Sequence, residues 1–253
     1  MQTLPSPAMT VEVYLTPYEL AYDAVAGKTV AVIDVLRAST VTATAVYNGV
    51  KEIYPVDTLE KAEKLADRLA DKKPLLCGER DGIRVPGYDL GNSPKEYTRD
   101  KIEGRTLVYA STNGTVALVA AEAAGHRLMV GLVNARAAAE EIARMGLDLA
   151  IVCAGQEGTF SIEDAFGTGH IIALLNEYFP EVLLGNDHAG TAEYIWKKNC
   201  NDPLALLQDC PHGRYLAGLG FGEDLQICAQ IDTVPVVPRM EGEVLVGKAH
   251  ISP

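Results

Sequence analysis

Val32-Ile33-Asp34-Val35-Leu36-Arg37-Ala38-Ser39-Thr40 is the stretch that decides the fold. A run rich in β-branched residues ends at Asp34, and Arg37, Ser39 and Thr40 then open a small-residue segment that reads as a helix over 38–47. An acid, a guanidinium and two hydroxyls therefore gather where a strand hands over to a helix. In open α/β sheets ligands bind at that edge, and helix N-termini there offer free backbone N–H groups to anions. The stretch points to a polar, anionic small molecule with an acid or a metal nearby.

Working outward, apolar runs at 11–15, 29–34, 51–56, 74–77, 106–110, 128–132 and 148–153 read as strands. Ala-rich helical patterns at 38–47, 58–71, 114–124 and 134–145 lie between them, with Asp57 and Asn134 as N-caps and Gly49, Gly125 and Gly146 as stops. This alternation predicts βαβ units in a three-layer α/β/α fold with a mainly parallel or mixed sheet. Further helices are expected near 161–178, 187–199 and 203–209. A Gly-rich segment, 213–222, and a Val/Pro-rich tail that adds an edge strand complete the chain. Residues 78–104 break the alternation and read as a long functional loop.

Composition narrows the class. The 253 residues and 48% hydrophobic content suffice for one large α/β domain or two small ones. No apolar stretch approaches the roughly 20 residues of a membrane span. Residues 1–9 read as a loose N-terminal arm without a signal peptide. Five scattered cysteines without a CxxC pattern fit reduced thiols and a cytoplasmic location. The formal charge of −12 argues against nucleic acid and anionic membranes as partners. It also means that an anionic substrate needs local arginines or a bound cation to reverse the field.

The candidate chemistry sits at strand ends. Asp34 is a carboxylate for metal or acid–base work, and Arg37 a fork for phosphate or carboxylate. The alternative is a capping Asp and a surface Arg. Glu79, in Cys77-Gly78-Glu79-Arg80, offers hard oxygen ligands for a cation. Cys77 reads as a buried strand-end residue, because a cysteine-phosphatase loop would require Arg at 83, where Ile83 stands. Ser111-Thr112-Asn113-Gly114-Thr115 follows a strand and opens a helix, which suits a phosphate cradle. Adjacent carboxylates Glu163 and Asp164 point about 100° apart on a helix, so one reaches the site while the other orients it. The dinucleotide fingerprint, the P-loop, the D-x-D phosphatase motif and paired histidines are all absent from the sequence.

Taken together, IDVLRAST (33–40), CGER (77–80), DLGNSP (89–94), STNGT (111–115) and CAG (153–155) with the following Glu163-Asp164 resemble the 2-phosphosulfolactate phosphatase family. The resemblance implies one such α/β domain over 1–253. It implies Mg²⁺-dependent hydrolysis of 2-phospho-3-sulfolactate, or a similar small anionic phosphomonoester, to sulfolactate and phosphate, a step of coenzyme M biosynthesis in methanogens. With that substrate, Asp34 and Arg37 are the expected catalytic residues. Arg37, Ser39, Thr40, Arg80, Arg84, Asn92, Ser93, Ser111, Thr112, Asn113, Gly114 and Thr115 are expected to bind it, and Asp34, Glu79 and Asp164 to hold Mg²⁺. Direct attack by water and a phosphoenzyme both remain open for Asp34, and a homodimer is compatible. The alternative is a non-catalytic binder or regulator of an anionic metabolite, which gives no reason for acids at three strand ends.

Overall fold

The computed structural model describes residues 8–249, so that residues 1–7 of the expected N-terminal arm lie outside the described residues. Met9, assigned to that arm from sequence, is instead buried as the first residue of a strand. Eleven strands are found among the described residues: β1 (Met9–Tyr14), β2 (Thr29–Ile33), β3 (Glu52–Val56), β4 (Leu75–Arg80), β5 (Ile83–Arg84), β6 (Thr106–Ala110), β7 (His126–Val130), β8 (Leu149–Cys153), β9 (Val182–Leu184), β10 (Val236–Glu241) and β11 (Val244–Ala249). The helices are α1 (Ala38–Tyr47), α2 (Leu59–Arg68), α3 (Arg99–Ile102), α4 (Gly114–Ala120), α5 (Ala135–Met145), α6 (Ile162–Leu175), α7 (Asp187–Asn199), α8 (Pro203–Asp209), α9 (Pro211–Gly218) and α10 (Gly222–Cys228).

The strands form one mixed sheet in the order β5-β4-β6-β3-β11-β10-β7-β2-β8-β1-β9. Parallel pairing runs through β4, β6 and β3 on one side and through β7, β2, β8, β1 and β9 on the other. The antiparallel β10–β11 hairpin joins these blocks, touching β7 at Arg239↔Leu128 and β3 at Leu245↔Ile53. The tail is therefore central, not an edge. Pro238 is tolerated there because β10 pairs with β7 at a single position, which leaves few ladder bonds for its missing N–H to break.

Strand alternation sorts the core. Ala31 and Ile33 of β2 pack with α5, α6 and α7, while Val30 and Val32 pack with α1 and α4 on the other face. That second cluster unites residues of β2, β3, β4, β6, β7, β8 and β11 around α1 and α4, so the sheet curves about these two helices. Seven of the ten α1 residues, all but Thr44, Val46 and the exposed Tyr47, are buried, and Ala, Ser, Thr and Val are small enough for that enclosure. Curvature brings the end of β2 to the ends of the neighbouring strands β4 and β6, although β3, β11, β10 and β7 lie between β6 and β2 in the sheet.

Local chemistry shifts several sequence boundaries. Thr58, not Asp57, caps α2 by accepting from Lys61 N. Asn134 precedes α5, but its side chain instead accepts from Gly131 N and donates to the Met129 and Val236 carbonyls, tying the β10 segment to the sheet. Residues 78–104 are not a structureless loop: β4 runs on to Arg80 and turns into β5 through Asp81 and Gly82, both at positive φ (53° and 74°), the two-residue hairpin geometry that Asp-Gly favours. The Gly-rich stretch 213–222 lies largely in α9.

Candidate active site

Asp34 leaves the end of β2 at the mouth of a small cavity of about 30 Å³. Its position is fixed by its own turn: the Ala38 amide donates to Oδ1 at 3.1 Å, and the Asp34 amide donates to Ser39 Oγ at 3.0 Å. The first turn of α4 presses against it. A Cβ placed on Gly114 would lie 2.6 Å from Asp34 Oδ2 and 2.7 Å from the Ala38 Cβ, so only glycine permits this approach. Burial pushes the Asp34 carboxyl up to about 6; the charge of His212 and the Ala38 amide pull it down, and the carboxylates of Glu79 and Glu163 push it up.

Glu79, near the end of β4, faces the same cavity and accepts from two loops at once: Gly82 N at 2.9 Å on Oε2 and Thr112 N at 2.8 Å on Oε1. Thr112, Asn113 and Asn92 also line it. The Thr112 Oγ1 is buried and has no hydrogen-bond partner among the described residues, which leaves it for a ligand. Asn92 takes the Tyr109 hydroxyl on Oδ1, and Asn113 takes the Glu157 amide on its own Oδ1.

Arg37 lines the cavity with an almost fully buried guanidinium. Nη1 donates to Asp224 Oδ2 at 2.8 Å, Nη2 donates to the Gly82 carbonyl at 2.7 Å, and the Phe221 ring lies 4.4 Å away. Two of its five donors are thus spent on the scaffold. Asp224 accepts Ser93 Oγ on its other oxygen at 2.7 Å, so Ser93 buttresses the ion pair and does not face the cavity.

Other residues expected to bind substrate are turned to structural work. Ser39 and Thr40 are fully buried and bond the Asp34 amide and the Val35 carbonyl. Ser111 and Thr115 close on each other: the Thr115 amide donates to Ser111 Oγ, and Thr115 Oγ1 donates to the Ser111 carbonyl. Arg80 points away from Glu79 by strand alternation and bonds the Glu79 carbonyl. Arg84 is exposed and turned to the Asp89 carbonyl and Glu96. Asp164, expected on the metal, accepts Val35 N at 2.9 Å on one oxygen and Gly155 N at 3.0 Å on the other, clamping the Asp34 turn to the loop after β8. Cys77 is buried in β4, and burial raises its thiol pKa far above the ordinary value.

The sequence reading missed the members of this neighbourhood that α9 supplies. His212, second residue of α9, lines the cavity, and its Nδ1 lies 3.1 Å from Glu163 Oε1. Burial raises the Glu163 carboxyl, but the hydrogen bond and charge of His212 outweigh it and hold the group below its ordinary value. Tyr215, one turn further along α9, also lines the cavity and donates its hydroxyl to the Asp81 carbonyl.

This is a polar cavity at strand ends with a buried acid, a histidine, an arginine and an open hydroxyl, and a family model described as 2-phosphosulpholactate phosphatase matches residues 14–243. The chain belongs to that family.

The 2-phosphosulfolactate phosphatase family includes several similar bacterial proteins. A probable 2-phosphosulfolactate phosphatase of Clostridium acetobutylicum is 37% identical over 94% of this chain and 100% of its own length. One from Carboxydothermus hydrogenoformans is 38% identical, with 88% and 92% covered. One from Caldicellulosiruptor saccharolyticus is 39% identical, with 81% and 86% covered.

The magnesium expected for this family can be weighed against the donors present. Among the described residues no three His, Cys, Asp or Glu groups converge as a metal cage. Asp34 and Glu79 nevertheless offer hard carboxylate oxygens to one cavity. Mg²⁺ is ordinarily held by one or two carboxylates, with water and substrate phosphate supplying the rest. The donor set therefore suits a hydrated magnesium at Asp34 and Glu79, without Asp164. Among the described residues no helix is long and apolar enough to cross a membrane.

Proposed function

We propose that this cavity hydrolyses 2-phospho-3-sulfolactate, or a closely similar anionic phosphomonoester, to the free hydroxy acid and phosphate. The observation that carries the reading is the buried Asp34 facing a polar cavity beside Arg37, Asn92 and the unpartnered Thr112 hydroxyl. Arg37 and the Thr112 Oγ1 orient the anionic groups of the substrate. Asn92, its oxygen already committed to Tyr109, presents its amide N–H group. Glu79 keeps the two flanking loops, 80–84 and 111–115, in register.

Asp34 and Glu79 would hold Mg²⁺, which when bound neutralises phosphate charge and polarises the phosphoryl oxygen. A cation of this kind answers the field of a protein with a formal charge of −12. The same reading gives sulfolactate a place in coenzyme M biosynthesis and the protein a cytoplasmic location, in keeping with its five free thiols. Phosphate release from a panel of small phosphomonoesters, with Mg²⁺ and with EDTA, tests it. The sulfonated hydroxy-acid phosphate should be the best substrate, and release unaffected by EDTA would contradict the metal assignment.

A further inference from the structure

His212 stands out because nothing in the scaffold uses its second nitrogen. Nδ1 is committed to Glu163 at 3.1 Å, and no group among the described residues hydrogen-bonds Nε2. The imidazole lines the cavity that contains Asp34 and Arg37, and its electrostatic pull on Asp34 marks the two as neighbours. Nε2 lies on the far side of the ring from Glu163. Glu163 is nearly fully buried on α6, so the carboxylate that fixes the ring is itself held. A histidine whose Nδ1–H is fixed by a buried carboxylate while Nε2 faces the reacting group is a recurrent acid–base arrangement.

The chemistry requires such a group. The leaving oxygen of a phosphorylated hydroxy acid is an aliphatic alkoxide, which is strongly basic and departs poorly without a proton. We propose that His212 is the general acid of this site, delivering the proton on Nε2 to that oxygen, with Glu163 as its positioning residue. The proposal rests on the phosphatase reading above. In the step, the bond between phosphorus and the leaving oxygen breaks and its electron pair stays on that oxygen, which takes the proton from Nε2. The incoming water forms the new bond to phosphorus and releases its own proton to solvent, and solvent later returns a proton to Nε2.

Two esters separate this role from a structural one. 2-Phospho-3-sulfolactate needs leaving-group protonation, whereas p-nitrophenyl phosphate releases a stable phenolate and does not. His212→Ala should lower kcat on the first by about 100-fold or more, within the usual range for an acid–base group, with a far smaller loss on the second, below about tenfold. KM for the sulfonated substrate should change little. His212→Asn, which keeps a donor for Glu163, should show the same substrate-selective loss. Glu163→Gln should show a weaker one in the same direction. Equal losses on both esters, or no loss on either, would overturn the assignment. Wild-type protein inert toward both esters would instead overturn the phosphatase reading, and the general acid would fall with it.

Discussion

Arg37 and Asp224 form a buried ion pair of 2.8 Å that reaches across 187 residues of chain, joining the turn after β2 to α10. The arginine that a sequence reader assigns to the substrate thus also closes the fold over the cavity. Removing one partner of a buried pair leaves an uncompensated charge, at a typical cost of about 3–5 kcal/mol. Asp224→Ala should lose stability on that scale in urea unfolding, and Arg37→Ala should lose stability as well as activity. A loss below about 1 kcal/mol for Asp224→Ala would contradict this role.

Gly114→Ala should impair catalysis without unfolding the protein. Alanine raises helix propensity in α4, yet its Cβ would crowd Asp34 Oδ2 and the Ala38 Cβ. Displacement of Asp34 should lower kcat/KM by at least about tenfold, as misplacement of a reacting group does. Steady-state kinetics beside a thermal melt would show it, and unchanged kcat/KM would remove Asp34 from the reacting geometry.

Glu79 joins two loops, because Gly82 N and Thr112 N each donate to one of its oxygens. In Glu79→Ala those amides lose a charged acceptor, an interaction worth about 1.5–3 kcal/mol each where formed. Hydrogen exchange at Gly82 and Thr112 should accelerate together, while exchange in β8 stays slow. Acceleration at neither amide would contradict the clasp.

The raised Asp34 pKa gives a signed pH effect. Its carboxyl goes from the ordinary 3.8 to about 6 in the fold, chiefly by burial. Well below pH 3.8 the group is protonated in both the folded and the unfolded state and contributes no difference. As pH rises through 4 to 6 the unfolded state ionises first, so stability falls, and the full penalty is present above 6. In EDTA, Asp34→Asn should therefore be more stable than wild type at pH 7, by on the order of 1–3 kcal/mol, and nearly equal to it at about pH 3. Relief of the repulsion that Asp34 exerts on Asp164 acts in the same direction. Melting curves at the two pH values read this out, and an advantage that grows toward acid pH would refute the assignment.

The legible parts of the chain are those whose chemistry is local. The β2–α1 turn, with Asp34 and Arg37, and the β6–α4 turn, with Ser111 to Thr115, combine a strand, a polar junction and a helix within about a dozen residues. What side chains do within those turns was not legible. Ser39, Thr40 and Ser111 carry hydroxyls that suit an anion as well as a backbone group, and only packing decides between them. Long-range partners leave no local trace. His212 and Asp224 sit in short helices that look ordinary in sequence, and they reach the site only because α9 and α10 fold over it. The central place of β10 and β11 is hidden for the same reason: each meets the parallel block beside it at one antiparallel residue pair. The Asp81-Gly82 hairpin, by contrast, carries a readable turn signal, because Asp-Gly favours the positive φ values of a two-residue turn.

The most direct test of the account is phosphate release from 2-phospho-3-sulfolactate by wild-type protein and by Asp34→Asn, each in Mg²⁺ and in EDTA. Wild type should turn over in Mg²⁺, stop in EDTA and recover when Mg²⁺ is returned. Asp34→Asn, folded and with its Ala38 contact kept, should fall by about 100-fold in kcat, the scale of a misplaced reacting group. Turnover by Asp34→Asn at the wild-type rate, or wild-type turnover untouched by EDTA, would contradict the central claim that a metal-assisted phosphatase site is built around Asp34.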